Sequence, residues 1–174
     1  PTMIDRAVFP GLQGGPHDHQ TAAIAVTLKE AATPEFKEYG HQIVKNAKAL
    51  AAELIDRGFS LVTGGTDNHL LLIDLTNKNL SGKQGEDALG KAGITVNKNT
   101  VPFDSRKPYD PSGIRLGTPA LTSRGMKEDE MTQIAEWIHE AITHWQNEEQ
   151  LVQIRKKILE FTEAFPLYPG LSVM

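Results

Sequence analysis

Between Pro34 and Gly58 apolar residues fall at helical spacing: Phe36, Tyr39, Ile43, Ala47, Leu50 and Leu54 recur every three or four positions, with Lys37, Lys45, Lys48 and Glu53 between them. A stripe of this length cannot stay in water, so the fold must supply a second layer to cover it. Its ends are marked too. Thr33 suits an N-cap, Pro34 the first helical position and Gly58 a C-terminal stop. A second strongly amphipathic helix is expected over 127–146, where Met131, Ile134, Trp137, Ile138, Ala141, Ile142 and Trp145 share a face. Leu151, Ile154, Ile158, Phe161 and Phe165 mark a final helix ended by Pro166.

Between the helices lie short stretches of strand character. Phe59–Thr63 reads as a strand, Gly64–Asn68 as a turn, and His69–Leu75 as a second strand whose nearly continuous apolar run predicts a central position. Ser81–Ala92 reads as a short helix capped by Ser81, although Gly82, Gly85 and Gly90 weaken it. Ile94-Thr95-Val96 reads as a third strand and Gly113–Gly117 as a fourth, separated by a polar loop over 99–112 with prolines at 102, 108 and 111. Upstream, residues 1–17 read as loop, since Phe9–Pro16 holds three glycines and two prolines. A helix follows from Asp18, its N-cap. Ala22, Ala23, Ile24, Ala25, Val26, Leu28 and Ala31 make it apolar nearly all round, which predicts burial. The order predicts an α/β sandwich with a small, mostly antiparallel sheet.

Composition narrows the classes. The 174 residues match a single domain, or at most one domain plus a piece of another, and 39% hydrophobic with 23% charged residues is ordinary for a soluble globular chain. There is no cysteine, which excludes a disulfide framework, a thiolate metal site and a cysteine nucleophile, and is compatible with a reducing compartment. Eighteen basic and 22 acidic residues are interspersed, giving a net charge of -4 and no basic patch for nucleic acid. No apolar run is long enough to span a bilayer, and Pro1–Arg6 resembles neither a signal nor a transit peptide.

Several residues could carry chemistry. Gly14 and Gly15 precede a helix start, where exposed backbone N–H groups and the helix dipole favour a phosphate; a plain tight turn explains them as well. Arg115 lies between Gly113 and Gly117, so its planar fork projects from a rigid element with little bulk beside it. That suits bidentate carboxylate binding, and a surface salt bridge is the alternative. Asn97, Lys98, Asn99 and Thr100 lead into the proline-rich loop, where either ligand contacts or ordinary loop chemistry accounts for them. The six histidines make no evident metal site. His17 and His19 are two apart and would diverge on a helix, and His139 and His144 are five apart. His69 stands out only because it follows Asp67-Asn68 at a strand entrance. Glu128, Asp129 and Glu130 read as first-turn helix charges, and no Ser-His-Asp order or G-x-S-x-G elbow occurs.

Four stretches in order resemble the C-terminal part of serine hydroxymethyltransferase. They are Ala7-Val8-Phe9-Pro10-Gly11-Leu12-Gln13-Gly14-Gly15-Pro16, Gly64-Gly65-Thr66-Asp67-Asn68-His69, Thr95-Val96-Asn97-Lys98-Asn99, and Ser112-Gly113-Ile114-Arg115-Leu116-Gly117-Thr118-Pro119-Ala120. The resemblance covers essentially the whole chain. It implies the small C-terminal domain of a fold-type-I pyridoxal phosphate enzyme over 34–174, preceded over 1–33 by the end of the large cofactor-binding domain. It also implies an activity that moves a one-carbon unit between serine and tetrahydrofolate, forming glycine, in a cytoplasmic homodimer or tetramer.

By the same resemblance Arg115 holds the amino-acid carboxylate. Gly14 and Gly15 lie beside the cofactor phosphate of the neighbouring subunit. Asn99, Lys107, Pro108 and Tyr109 line the folate site. No metal is implied. The family's Schiff-base lysine, in a threonine-histidine-lysine context, lies upstream of the Phe-Pro-Gly segment, as do its cofactor-stacking histidine and pyridine-nitrogen aspartate. This chain has no such lysine context, so no catalytic residue is assigned in it. It is expected to be a fragment, inactive alone, whose apolar helix after Asp18 belongs with the missing large domain and is exposed or rearranged here. A non-catalytic ligand-binding or dimerisation module with the same fold is the alternative.

Overall fold

A computed structural model describes residues 1–168. It divides into two compact units, Pro1–Glu38 and Tyr39–Met174.

The first unit holds helices α1 (Thr2–Arg6) and α2 (Asp18–Ala31), joined by an irregular segment over 7–12 in which Phe9 and Pro10 leave helical geometry. The loop expected over 1–17 is therefore helical at its start. It breaks at Pro10, where the ring forbids a regular helical bond. α2 forms where its alanines and leucine favour helix, but it is not buried. Ile24 is 60% exposed and Leu28 65%. An all-round apolar helix needs a covering layer, and within its own unit α2 has none.

Helix α3 (Pro34–Asp56) begins as its sequence predicts, with the Phe36 N–H donating to Thr33 Oγ1. It stops at Gly58, whose positive φ of 74° suits glycine after a helix end. The second unit then runs through β1 (Ser60–Leu61), β2 (Leu70–Asp74), a single 3-10 turn over 76–78, α4 (Gly82–Lys91), β3 (Asn97–Asn99), β4 (Gly113–Gly117), α5 (Pro119–Ser123), α6 (Glu128–Thr143) and α7 (Glu148–Glu163). Ser81 caps α4 with a reciprocal bond pair, its hydroxyl accepting from the Gln84 N–H while the Gln84 side chain accepts from the Ser81 N–H. That box fixes the start of α4 despite its three glycines.

The sheet is fully antiparallel in the order β1-β2-β4-β3. The third strand is Asn97–Asn99, not Ile94–Val96. Ile94 still belongs to the close of α4, its N–H donating to Leu89 O, and Val96 points into the core. The polar residues after it make the ladder with β4. β2 is central, as expected, but only alternate residues are buried. Leu71 and Ile73 join Ile114 under the helices, whereas Leu70 and Leu72 face outward. Buried residues of α3, α4, α6 and α7, including Leu50, Leu89, Ile138 and Ile154, complete one core with that inner face. The outer face is open, and its middle residue is Arg115.

A buried polar network links α3 to the segment after β4. Asn46, fully buried, donates to Thr122 Oγ1 and to Met126 O, both at 2.9 Å, and accepts from Gln42 Nε2 at 2.9 Å. One turn earlier Thr118 Oγ1 donates to Ile43 O at 2.8 Å. Asn46→Leu would strand these partners in the core at a cost of about 2–3 kcal/mol. Thermal unfolding should show a loss of roughly 4–12 °C in Tm, and an unchanged Tm would make the network incidental.

Candidate functional site

Arg115 sits at the centre of the open sheet face because β4 pairs on both sides, opposite Leu72 of β2 and Asn97 of β3. Its two flanking glycines are required by close approach. A Cβ on Gly113 would stand 2.9 Å from the carbonyls of Asn99 and Ile73, and one on Gly117 would stand 2.7 Å from that of His69. The strand therefore lies tight against its neighbours, and the arginine projects from a stiff base.

The Thr63–Asn68 loop borders Arg115 across a concavity of about 700 Å³. The loop is held by its own side chains. Thr66 Oγ1 donates to Leu70 O at 2.7 Å, and Asn68 Oδ1 accepts the Leu70 N–H at 2.8 Å. Asp67 points outward and pairs with Lys48 Nζ at 3.6 Å. Among the described residues the Arg115 guanidinium makes no hydrogen bond or ion pair, so the surface salt bridge is not formed within them. Five donors in a fixed fork face the cavity, the arrangement that takes a carboxylate bidentately.

Asn99 ends β3 opposite Gly113, and its Nδ2 donates to Thr100 O at 2.7 Å. β3 is fixed to α4 through Glu86, which accepts the Lys98 N–H at 3.0 Å and pairs with Lys98 Nζ at 3.3 Å. The loop that follows carries Lys107, Pro108 and Tyr109 at an exposed tip. Lys107 Nζ lies 5.9 Å from the Tyr109 ring centroid, and the Asp110 N–H closes the turn onto Lys107 O at 2.9 Å. No hydrogen bond or ion pair among the described residues joins this tip to Asn99 or Arg115 directly.

Asp104, which has no assigned role in the sequence reading, organises the loop. Its Oδ2 accepts the N–H groups of Val101 at 3.2 Å and Ser112 at 2.9 Å, and its Oδ1 accepts the Arg106 N–H at 2.9 Å and the Ser112 hydroxyl at 2.7 Å. The Ser112 N–H holds this carboxyl far below the usual carboxylate range, against opposing desolvation and with help from Arg106, the Ser112 hydroxyl and Val101. The signal available in the sequence was an aspartate two residues before a turn N–H, which is common in loops and not specific.

Phe103, beside it, has a φ of 57° with a fully exposed ring. A left-handed backbone costs a bulky residue roughly 1–2 kcal/mol, and asparagine much less. Phe103→Asn should therefore raise Tm by about 2–4 °C for each 1 kcal/mol recovered. A lowered Tm would show that the ring makes a stabilising contact in solution.

Gly14 and Gly15 lie in the first unit, in a loop entering α2. With Leu12, Gln13, Pro16 and His17 they line a concavity of about 390 Å³. A Cβ at either glycine would meet nothing within 4 Å, and neither N–H is bonded to another described residue. The loop is thus open to an anion from outside its own unit, which fits a phosphate on backbone donors near a helix start. The His17 and His19 rings do not diverge as their spacing predicts. His17 precedes α2, and the two rings meet edge to face at 5.8 Å. Among the described residues no three His, Asp or Glu side chains are placed to hold a metal, and no helix is long and apolar enough to cross a membrane.

The model of the family described as serine hydroxymethyltransferase matches residues 1–138. The chain is 59% identical to the serine hydroxymethyltransferase of Acidothermus cellulolyticus, over 97% of this chain and 41% of that protein. It is 55% identical to that of Desulfotalea psychrophila, over 97% and 40%, and 53% identical to that of Koribacter versatilis, over 95% and 39%. The chain spans about two fifths of the length of these curated relatives.

Proposed function

The chain belongs to the serine hydroxymethyltransferase family, and from that premise we propose that it forms the C-terminal portion of a cytoplasmic pyridoxal phosphate enzyme that interconverts serine and glycine with tetrahydrofolate as one-carbon acceptor. Residues 34–174 are then the small domain of a fold-type-I enzyme, and residues 1–33 the end of its large domain. The observation that carries the reading is Arg115, an unpaired guanidinium on a rigid strand facing a cavity.

Each residue has a task in this reading. Arg115 takes the serine carboxylate in its fork and so fixes how the amino acid presents its Cα. The Thr63–Asn68 loop walls the opposite side of the cavity and limits water at the bound amino acid. Asn99, Lys107, Pro108 and Tyr109 receive the folate, with amide and ammonium donors for its polar edges and an aromatic face for its ring. Gly14 and Gly15 present backbone N–H groups to the cofactor phosphate of a neighbouring subunit in a homodimer or tetramer, which their open surroundings permit. Pyridoxal phosphate, when bound, supplies the electron sink for the serine carbon skeleton. The lysine that anchors it belongs to the rest of the enzyme, so this chain alone is inactive.

The full-length protein should convert serine to glycine only when pyridoxal phosphate and tetrahydrofolate are both supplied. Glycine formation is measured directly, and a full-length protein that binds serine without turning it over would favour a non-catalytic module.

A further inference from the structure

The two feet of the 101–112 loop are fixed by the scaffold, while its tip is not. At one foot Asn99 pairs with Gly113. At the other, Ser112 O accepts the Leu75 N–H at 3.0 Å and Pro111 O accepts the Gly82 N–H at 2.6 Å. Between them Ser105 to Tyr109 are exposed, and the tip's own ties are the short turn at Asp110 and the Arg106–Asp110 pair at 3.6 Å. Asp104 supplies the connection from tip to foot. Its two oxygens collect four donors, one from the first foot, one from the tip and two from Ser112.

We propose that Asp104 is a positioning residue for folate: its carboxylate sets the conformation in which the loop presents Lys107, Pro108 and Tyr109. The proposal rests on the assignment of that loop to the folate. The chemistry requires a carboxylate. All four partners are donors, so both oxygens must accept, and an ionised acceptor makes each bond stronger than a neutral one would. An asparagine of the same shape would turn an NH₂ group toward N–H donors on one side. The loop would then lose its preorganisation, and binding would have to order it first. Arg115 keeps its own ladder to β2 and β3 whatever the loop does, so the amino-acid site should be spared.

The test uses the full-length holoenzyme with Asp104→Asn, with Ser112→Ala as a milder variant should the first fail to fold, and with Tyr109→Ala as a direct probe of the folate surface. Three quantities are measured: the tetrahydrofolate Kd, the serine Kd, and the rate of tryptic cleavage after Arg106. Asp104→Asn should weaken tetrahydrofolate by about tenfold or more, leave serine within about threefold, and speed cleavage. Ser112→Ala should weaken tetrahydrofolate and speed cleavage by less, with serine again within about threefold. Unchanged tetrahydrofolate binding and cleavage in Asp104→Asn, with weakened binding in Tyr109→Ala, would overturn the clamp and leave the folate assignment standing. Faster cleavage with tetrahydrofolate binding unchanged in both variants would overturn the folate assignment and the clamp with it. Equal weakening of serine and tetrahydrofolate would reduce Asp104 to general stability and also overturn the proposal.

Discussion

Replacing Arg115 with alanine in the full-length enzyme should lower kcat/KM for serine by roughly 10- to 150-fold. A charge-assisted hydrogen bond is worth about 1.5–3 kcal/mol, and each 1.4 kcal/mol is a factor of ten. The loss arises because the fork is held on a central strand, flanked by glycines that admit no bulkier residue, and has no competing partner among the described residues. Arg115→Lys should recover only part of the activity, since a point charge cannot reproduce two parallel N–H donors. Steady-state kinetics at varied serine checks both variants. Serine kinetics that stay at the wild-type level would remove the carboxylate role from Arg115.

The second large effect concerns the 174-residue chain by itself. Mixed with pyridoxal phosphate, it should give no absorbance of a lysine-linked cofactor and no glycine from serine. None of its lysines stands in the family's threonine-histidine-lysine context. Several are engaged elsewhere, Lys83 with Asp87 and Lys98 with Glu86 for example. The isolated chain should also bind a hydrophobic dye strongly and self-associate, since Leu12, Ile24 and Leu28 are more than half exposed in the first unit. A lysine-linked band together with serine turnover would contradict the proposed division of labour.

The parts of the fold legible in the sequence are those decided locally. The stripe from Phe36 to Leu54, the Ser81–Gln84 cap and the stop at Gly58 each follow from neighbours within a turn or two. β3 was not legible, because the ladder to β4 recruits Asn97–Asn99 while the apolar Val96 is drawn into the core. Apolar character marked the wrong three residues, and pairing with a strand fourteen or more positions away decided the matter. The half-buried nature of β2 was hidden for a related reason. Leu70 and Leu72 read as core, yet they face the open side where a substrate site is proposed.

The site divides in the same way. Arg115 between two glycines is a local pattern, and the structure adds why the glycines are needed. Gly14 and Gly15 are likewise local, and the structure adds that both are open. The facing Thr63–Asn68 loop stood in the sequence as a motif without a task, and its place beside Arg115 comes from the β2–β4 register. Asp104 could not be read at all. Its importance depends on Ser112, eight residues on, folding back to the same carboxylate.

The most direct measurement compares serine with serinamide, which keeps the hydroxyl and amine but carries no carboxylate, in wild-type enzyme and in Arg115→Ala. Wild type should bind serine at least about tenfold more tightly than serinamide, as expected for one charge-assisted pair. The variant should bind the two alike. A variant that still prefers serine by the wild-type factor would contradict the account, because the carboxylate would then be held by some other group.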